Sequence, residues 1–174
     1  MRRFLTMSIA FGFMAAATGA LAEDAKPNDA QIAHIAYTAG QIDIAAAQLA
    51  LKKSHTKAVV EFAQEMERDH TAVNKQALAL LAKLKVKPED NATSQSLTAS
   101  ADKEREELSK LSGAAFDKAY ADNEVAYHKT VNNALETILI PDAQNAELKS
   151  LLETGLKLFK EHEMHAEHLA GELK

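Results

Sequence analysis

The sequence predicts an all-α protein, a four-helix bundle with a long, partly helical crossover between the second and third helices. Alanine, leucine, lysine and glutamate are abundant, and aromatic residues make up only 5% of the 174-residue chain. That composition is typical of helices. Apolar residues recur at steps of three and four along four long segments, as on the buried side of an amphipathic helix. Three prolines and Gly113 lie near the ends of these segments.

The first predicted helix spans residues 29–53, after Pro27, and the second spans residues 56–85, before Pro88. The link between them is short, which predicts an antiparallel hairpin. The apolar stripe of the first helix comprises Ile32, Ile35, Ala39, Ile42, Ala46 and Leu49. The stripe of the second helix comprises Val59, Phe62, Met66, Val73, Leu80 and Leu84. We expect both stripes to face the interior of the bundle.

The third and fourth predicted helices span residues 114–139 and 145–173, and Pro141 separates them. Their short link predicts a second antiparallel hairpin. The stripe of the third helix comprises Tyr120, Tyr127, Val131, Ala134 and Ile138. The stripe of the fourth helix comprises Leu148, Leu151, Leu152, Gly155, Leu158, Phe159 and Leu169.

Residues 89–112, "EDNATSQSLTASADKEREELSKLS", form the polar connection between the two hairpins. Its second half can form a charged helix that buries only Leu108 and Leu111. A connection of this length lets the third helix run parallel to the second. A four-helix bundle with one such crossover has the ferritin-like topology.

The N-terminal segment has the features of a secretory signal. Arg2 and Arg3 precede an apolar run, which ends in Ala20-Leu21-Ala22. A basic start, an apolar centre and a small-x-small end predict cleavage after Ala22. We therefore expect a signal peptide over residues 1–22 and one mature domain over residues 23–174, periplasmic or otherwise exported. After processing, the sequence predicts no transmembrane span.

The charge and the cysteine count exclude several classes of function. The whole chain has a formal net charge of −5 and contains no cysteine. An acidic chain without a basic stripe is a poor candidate for binding nucleic acid. The missing cysteines exclude disulfides and thiolate metal ligands. The sequence leaves open an unidentified protein partner and a peripheral association with the cell envelope.

Polar residues interrupt the apolar stripes of the first three helices. Asp43 lies at the edge of the first stripe. On the second helix we expect Asp69 to take an inward position, with His70 beside it and Glu67 one turn earlier. On the third helix Glu124 takes an inward position, and His128 lies one turn later. At 1.5 Å per residue, the polar groups of the first hairpin lie within about one turn of a common height.

Three histidines follow one another at a spacing of three on the fourth helix. Because Leu158, His162 and Leu169 lie along one line, we expect His162 to face inward. By the same spacing His165 borders the buried face and His168 points outward.

Carboxylates and imidazoles that meet inside a bundle are the ligands of di-iron and di-manganese proteins, where Glu-x-x-His occurs on two helices. Glu67 and His70 satisfy that spacing once, but Phe159 stands three residues before His162. The sequence therefore predicts an incomplete or mononuclear site, rich in imidazole, for iron, zinc or copper. The candidate ligands are His70, His162, Glu124, His128, Asp43, Glu67, Asp69 and His165.

An alternative interpretation needs no metal. Buried histidines and carboxylates can pair with one another across the bundle and fix the register of the helices. The protein would then be a non-catalytic periplasmic interaction or stress-related bundle. An oxidase is disfavoured by the missing second Glu-x-x-His, and the sequence assigns no catalytic residue.

Three segments resemble a bacterial family of unknown function numbered 4142, over residues 30–173. They are "LALKKSHTKAVVEFAQEMERDHTAVN", "FDKAYADNEVAYHKTV" and "HEMHAEHL". The positions that match are Asp69, His70, Phe116, Asp117, Tyr120, His128, His162 and Ala166. The resemblance implies an exported ferritin-like bundle, often labelled an outer membrane protein, without an established activity. Two positions depart from the family pattern, since Asp43 replaces a glutamate and Lys157 replaces a proline.

Overall fold

The computed structural model describes residues 26–173, which form an all-α bundle. Four long helices make up the bundle, namely α1 (Asp29–Lys53), α2 (Lys57–Leu84), α4 (Gly113–Ala134) and α6 (Ala146–Glu172). The predicted fold class is confirmed. The predicted signal peptide lies outside the described residues. Among residues 26–173, no helix combines the length and the apolarity that crossing a bilayer requires.

Asparagine caps set the starts of three of the helices, as their sequence context favours. Asn28 and Gln31 form a capping box at the start of α1, and Asn91 forms one with Ser94 at the start of α3 (Ala92–Lys110), the helix of the crossover. Asn145 accepts two backbone N–H groups at the start of α6. These caps satisfy donors that the first turn of a helix otherwise leaves free.

The crossover is more helical than the sequence predicts. Helix α3 (Ala92–Lys110) occupies nearly the whole connection and packs mainly against α1. The capping box at Asn91 starts it early, whereas the charged second half alone is predicted to be helical. It runs parallel to α1, since Asn91 lies near Gln31 and Lys53 donates to the carbonyl of Ser109.

The four long helices form a ring in the order α1, α2, α6 and α4. Thr56 before α2 donates to Asp117 near the start of α4, so these two helices begin at the same end of the bundle and run parallel. At the other end, Asp29 accepts the backbone N–H groups of Gln144 and Asn145. The predicted parallel course of the second and third long helices is therefore correct.

The end of α4 departs from the predicted stripe. A π-helical turn, Leu135–Leu139, follows α4 and leads into the single turn α5 (Ile140–Asp142). A π turn contains an extra residue, so Leu135 and Leu139 are both buried. Ile138, predicted to face inward, is 46% exposed.

Candidate metal centre

Three histidines from three helices meet in the middle of the bundle. His70 on α2, His128 on α4 and His162 on α6 are all buried. Their ring centroids are 5.3 to 5.7 Å apart. Each ring continues the buried face of its own helix, one turn after the buried residues Met66, Glu124 and Phe159 respectively. One ring nitrogen of each histidine lies within 4.8 Å of one from each of the other two.

Two carboxylates extend this group toward α1. Asp43 Oδ2 lies 3.4 Å from His70 Nε2 and 3.5 Å from His128 Nε2. Glu124 Oε2 lies 3.6 Å from His128 Nδ1. Both carboxyl groups are buried. These five residues are hereafter the polar cluster, comprising Asp43, His70, Glu124, His128 and His162.

Hydrogen bonds orient two of the imidazoles. His128 Nδ1 lies 3.0 Å from the backbone oxygen of Glu124, which can only accept, so Nδ1 carries the proton. His162 Nε2 lies 3.2 Å from Asp69 Oδ2, and the same reasoning protonates Nε2 when the carboxylate is ionised. In the neutral rings, the lone pairs then lie on His128 Nε2 and His162 Nδ1. A carbonyl or carboxylate that holds the other nitrogen is typical of histidines that bind metals.

Several atoms of the polar cluster find no hydrogen-bond partner among residues 26–173. They are both oxygens of Asp43 and of Glu124, both nitrogens of His70, Nε2 of His128 and Nδ1 of His162. A buried polar atom without a partner costs about 1–3 kcal/mol, and native proteins contain few of them. Eight such atoms in one place indicate that the cluster binds something or shares protons internally.

Burial shifts the pKa of every group in the polar cluster toward its neutral form. Burial raises the pKa of Asp43 to about 8, and burial with the charge of Asp43 raises that of Glu124 well above its usual range. Burial lowers the pKa of His128 to about 4 and that of His70 well below its ordinary value. Burial also lowers the pKa of His162, against the opposing effect of Asp69.

The donor set fits one transition metal better than two. Two ligands of a tetrahedral zinc ion, at bonds of 2.0–2.1 Å, are about 3.3 Å apart. The two separations of Asp43 Oδ2 from His70 and His128, 3.4 and 3.5 Å, are close to that value. Neutral imidazoles are ready to coordinate, and a bound dication would ionise the two carboxyl groups. A di-iron centre uses four carboxylates, whereas the cluster contains two.

Three of the predicted ligands lie outside the polar cluster. Asp69 is half-buried, and it contacts His162 and Arg68. The sequence predicts that Asp69 faces inward with His70 beside it. In the structure His70 faces inward instead, because the buried face of α2 passes through His70. Glu67 accepts from Gln48 near the surface, so the Glu67-x-x-His70 spacing does not bring these two side chains together.

The histidines of α6 are arranged as their spacing predicts. The side chain of His162 is 2% exposed, that of His165 is 44% exposed and that of His168 is 72% exposed. His165 Nδ1 lies 2.7 Å from Glu65 Oε2 at the surface. Glu65, Asp69 and His162 also bring one ligand atom each within 4.8 Å of the others. Glu65 and Asp69, which are partly exposed, lie between the polar cluster and solvent.

Three residues at or beside the site were not predicted from the sequence, namely Glu65, Asn74 and Asn132. Glu65 lies four residues before Asp69, a spacing that places both on one face of α2. The two asparagines lie one turn after a cluster histidine, in "HTAVN" and "HKTVN". Asn74 donates to the carbonyl of Tyr37 on α1, and Asn132 donates to that of Phe159 on α6. Each asparagine thus fastens a histidine-bearing helix to its hairpin partner, and the repeated His-x-x-Val-Asn pattern was the available signal.

Fold and site together define a class, that of helical bundles with a buried cluster of imidazoles and carboxylates between two hairpins. The chain belongs to the family described as Domain of unknown function (DUF4142), whose family model matches residues 14–169. The resemblance stated from the sequence is thereby confirmed. No curated protein and no solved structure matches the chain.

Proposed function

We propose that this protein is an exported helical bundle that binds one transition-metal ion at the polar cluster. The ligands are His70, His128 and His162, with Asp43 and Glu124 completing the coordination. The observation that supports this proposal most directly is the set of eight buried atoms without hydrogen-bond partners in the described chain. Asp69 orients His162 from outside the ligand set, as carboxylates do for histidines that bind metals.

Imidazole and carboxylate ligands suit zinc, copper and iron, and the cluster contains no thioether or thiolate ligand that would select copper(I). Burial favours the neutral form of the groups in the polar cluster, so metal binding should be coupled to proton release. Burial raises the pKa of Asp43 to about 8 and raises that of Glu124 well above its usual range, so metal binding at neutral pH should release protons. The apparent metal affinity should therefore rise with pH.

A titration of chelator-stripped mature protein tests the proposal. Zn²⁺, Cu²⁺, Fe²⁺ and Co²⁺ are added separately, and the melting temperature is recorded with the proton release in a calorimeter. We expect at least one metal to raise the melting temperature at one ion per chain, because a ligand that binds only the native state stabilises it. Absorption of the Co²⁺ form reports the coordination geometry independently of stability.

The matched variants are His162→Ala and His168→Ala, which lie on the same helix six residues apart. The first should abolish the metal-induced rise in melting temperature, and the second should leave it unchanged, because His168 is exposed. A rise that survives in His162→Ala but disappears in His168→Ala would place the metal on the surface. A melting temperature that no metal changes would contradict the proposal.

A second candidate function is a bundle in which the polar cluster only sets the register of the helices. The position of Asp43 Oδ2, almost equally far from His70 and His128, favours it, since one protonated carboxyl can donate to either ring. Under this candidate, replacing Asp43 by asparagine should preserve the fold, and added metal should have no effect on the melting temperature.

Export is a separate part of the proposal, supported by the arginine pair, the apolar run and the Ala20-Leu21-Ala22 end of residues 1–22. Signal peptidase selects small residues at these two alanine positions. N-terminal sequencing of the protein from the cell envelope should therefore begin at Glu23. A membrane fraction that retains Met1 would show a tethered bundle instead.

A further inference from the structure

A cavity of about 80 Å³ lies inside the bundle, beside the polar cluster. His70 and His128 line one side of it. Mostly apolar residues of the four long helices form the rest, together with Leu97 of α3 and with Leu135 and Leu139 of the π-helical turn. Gly155 is among these residues, and a Cβ atom built there meets only the ring edge of Phe159, at 3.4 Å. The cavity is therefore roomy at Gly155 and ends at two imidazoles of the proposed metal centre.

Away from the end formed by His70 and His128, the wall offers little to a water molecule, which needs two to four polar partners in a buried site. Apart from the two histidines, its polar side chains are Asn74, Tyr127 and Thr130. Tyr127 donates to the carbonyl of Ala39, Thr130 to that of Ala126 and Asn74 to that of Tyr37. Because these donors are already used by the backbone, the part of the cavity away from the two imidazoles favours an apolar occupant over water.

We infer that this cavity binds a small, uncharged, apolar molecule, smaller than benzene, against the rings of His70 and His128. The size limit follows from its volume, since an apolar cavity of about 150 Å³ in another protein binds benzene or xenon. Any chemical role of the bound molecule rests on the proposed function, because a molecule in this cavity contacts His70 and His128, two of the proposed metal ligands.

Xenon is a suitable probe, because it is apolar and reports its surroundings through the ¹²⁹Xe chemical shift. Metal-stripped mature protein is titrated with xenon and, separately, with benzene. We expect a saturable xenon shift and no benzene binding. A xenon shift that remains linear in protein concentration, as for non-specific contact, would overturn the inference, and benzene binding would overturn the size limit.

Gly155→Leu and Gly171→Leu form a matched pair on α6. The first places a side chain in the cavity, while the second adds the same side chain at an exposed position with open space around it. We expect saturable xenon binding to be lost in Gly155→Leu and kept in Gly171→Leu. Gly155→Ala, which adds one methyl group at an ordinary contact distance, should weaken xenon binding and serves if the larger variant does not fold.

The test separates this inference from the proposed function. His162 does not line the cavity, so His162→Ala should lose metal binding while it keeps xenon binding. Saturable xenon binding in a protein that binds no metal would support the binding cavity and contradict the proposed metal centre. Two outcomes would contradict only the binding cavity. One is metal binding without saturable xenon binding in the wild-type protein, and the other is unchanged xenon binding in Gly155→Leu.

Discussion

Two apolar layers lie on either side of the polar cluster, and they differ in how completely they fill their space. The first, the closed layer, lies at the end where α2 and α4 begin. It contains Ala47, Ala50, Val59, Phe62, Ala63, Met66, Leu108, Phe116, Tyr120, Ala121, Ala166 and Leu169. The second, the open layer, lies at the opposite end. It contains Ile32, Ala33, Ile35, Leu81, Leu135, Leu139, Ala143, Leu148, Leu152 and Phe159.

The closed layer is filled by aromatic rings that pack on one another. The Phe62 and Tyr120 rings meet edge to face with centroids 6.1 Å apart, and Phe116 stacks on Tyr120. The open layer is lined by aliphatic side chains and contains the 80 Å³ cavity. It also contains the π-helical turn, and π turns occur frequently near functional sites. Packing is therefore close on one side of the polar cluster and relaxed on the other.

Phenylalanine removal in each layer should give the largest effects. Phe62→Ala in the closed layer should reduce the free energy of unfolding by about 3–5 kcal/mol, because it removes a fully buried ring. Phe159→Ala in the open layer should cost less, because Phe159 borders an existing cavity and makes fewer contacts on that side. Urea denaturation of the metal-free proteins measures both losses. Equal losses would contradict the difference between the layers.

Alanine substitutions in and beyond the polar cluster should have intermediate effects on the metal-free protein. His162→Ala should cost about 1–3 kcal/mol, since it leaves a space in the buried cluster and removes the partner of Asp69. His168→Ala should change the free energy of unfolding by less than about 0.5 kcal/mol, as exposed positions do. The same denaturation experiment compares them, and similar losses would refute the assignment of faces on α6.

The pH dependence of stability follows from the shifted pKa values of the polar cluster. The pKa of Asp43 is about 8 in the folded protein, against an ordinary value of 3.8. Between pH 7 and 8 the folded state therefore binds a proton that the unfolded state does not. The free energy of unfolding should fall as pH rises through this window, by about 1 kcal/mol per pH unit per proton. Below pH 6.5 the lowered pKa values of His128, His70 and His162 act in the opposite direction.

Asp43→Asn, which stays neutral at every pH, should flatten the fall between pH 7 and 8 in metal-free protein. The metal-bound protein should show the opposite slope, because deprotonation of Asp43 and Glu124 favours coordination. Melting curves between pH 6.5 and 8.5, with and without metal, distinguish the two cases. An identical slope in wild type and Asp43→Asn would show that Asp43 is not the group responsible.

Substitutions of small residues should change stability with opposite sign in the two layers. Gly155→Ala in the open layer should stabilise the protein by about 0.5–1 kcal/mol, because alanine suits a helix better than glycine and the cavity accepts the methyl group. Ala47→Val in the closed layer should destabilise it by about 1–3 kcal/mol, because a larger side chain must fit at a fully buried position in a packed core. Thermal denaturation measures both, and stabilisation by Ala47→Val would show that the closed layer is not filled.

The sequence by itself determined the helices and the approximate face of each residue. The first helix begins and ends at the predicted residues, and the second and fourth agree within one residue. The third predicted helix covers both α4, which ends at Ala134, and the π-helical turn that follows it. These features depend on interactions within a few residues, namely capping, backbone propensity and the 3.6-residue period. His162 and His168 could be separated for the same reason, since six residues place them on different sides of one helix.

Only the tertiary structure decided which of two neighbouring polar residues enters the polar cluster. Consecutive residues lie about 100° apart on a helix, so the stripe pattern alone could exchange Asp69 with His70. It also left Asp43 at the edge of a stripe whose buried line continues through Ala47 and Ala50. The rotation of each helix about its own axis is set by how side chains of different helices fit together.

The height of one hairpin relative to the other was also decided by tertiary structure. The crossover sequence does not specify it, because the position of α3 depends on its packing against α1. That height brings Asp43 on α1 within 3.5 Å of His128 on α4, and His162 on α6 within 3.2 Å of Asp69 on α2. Local sequence supplied the candidate ligands, and packing between the hairpins brought five of them together.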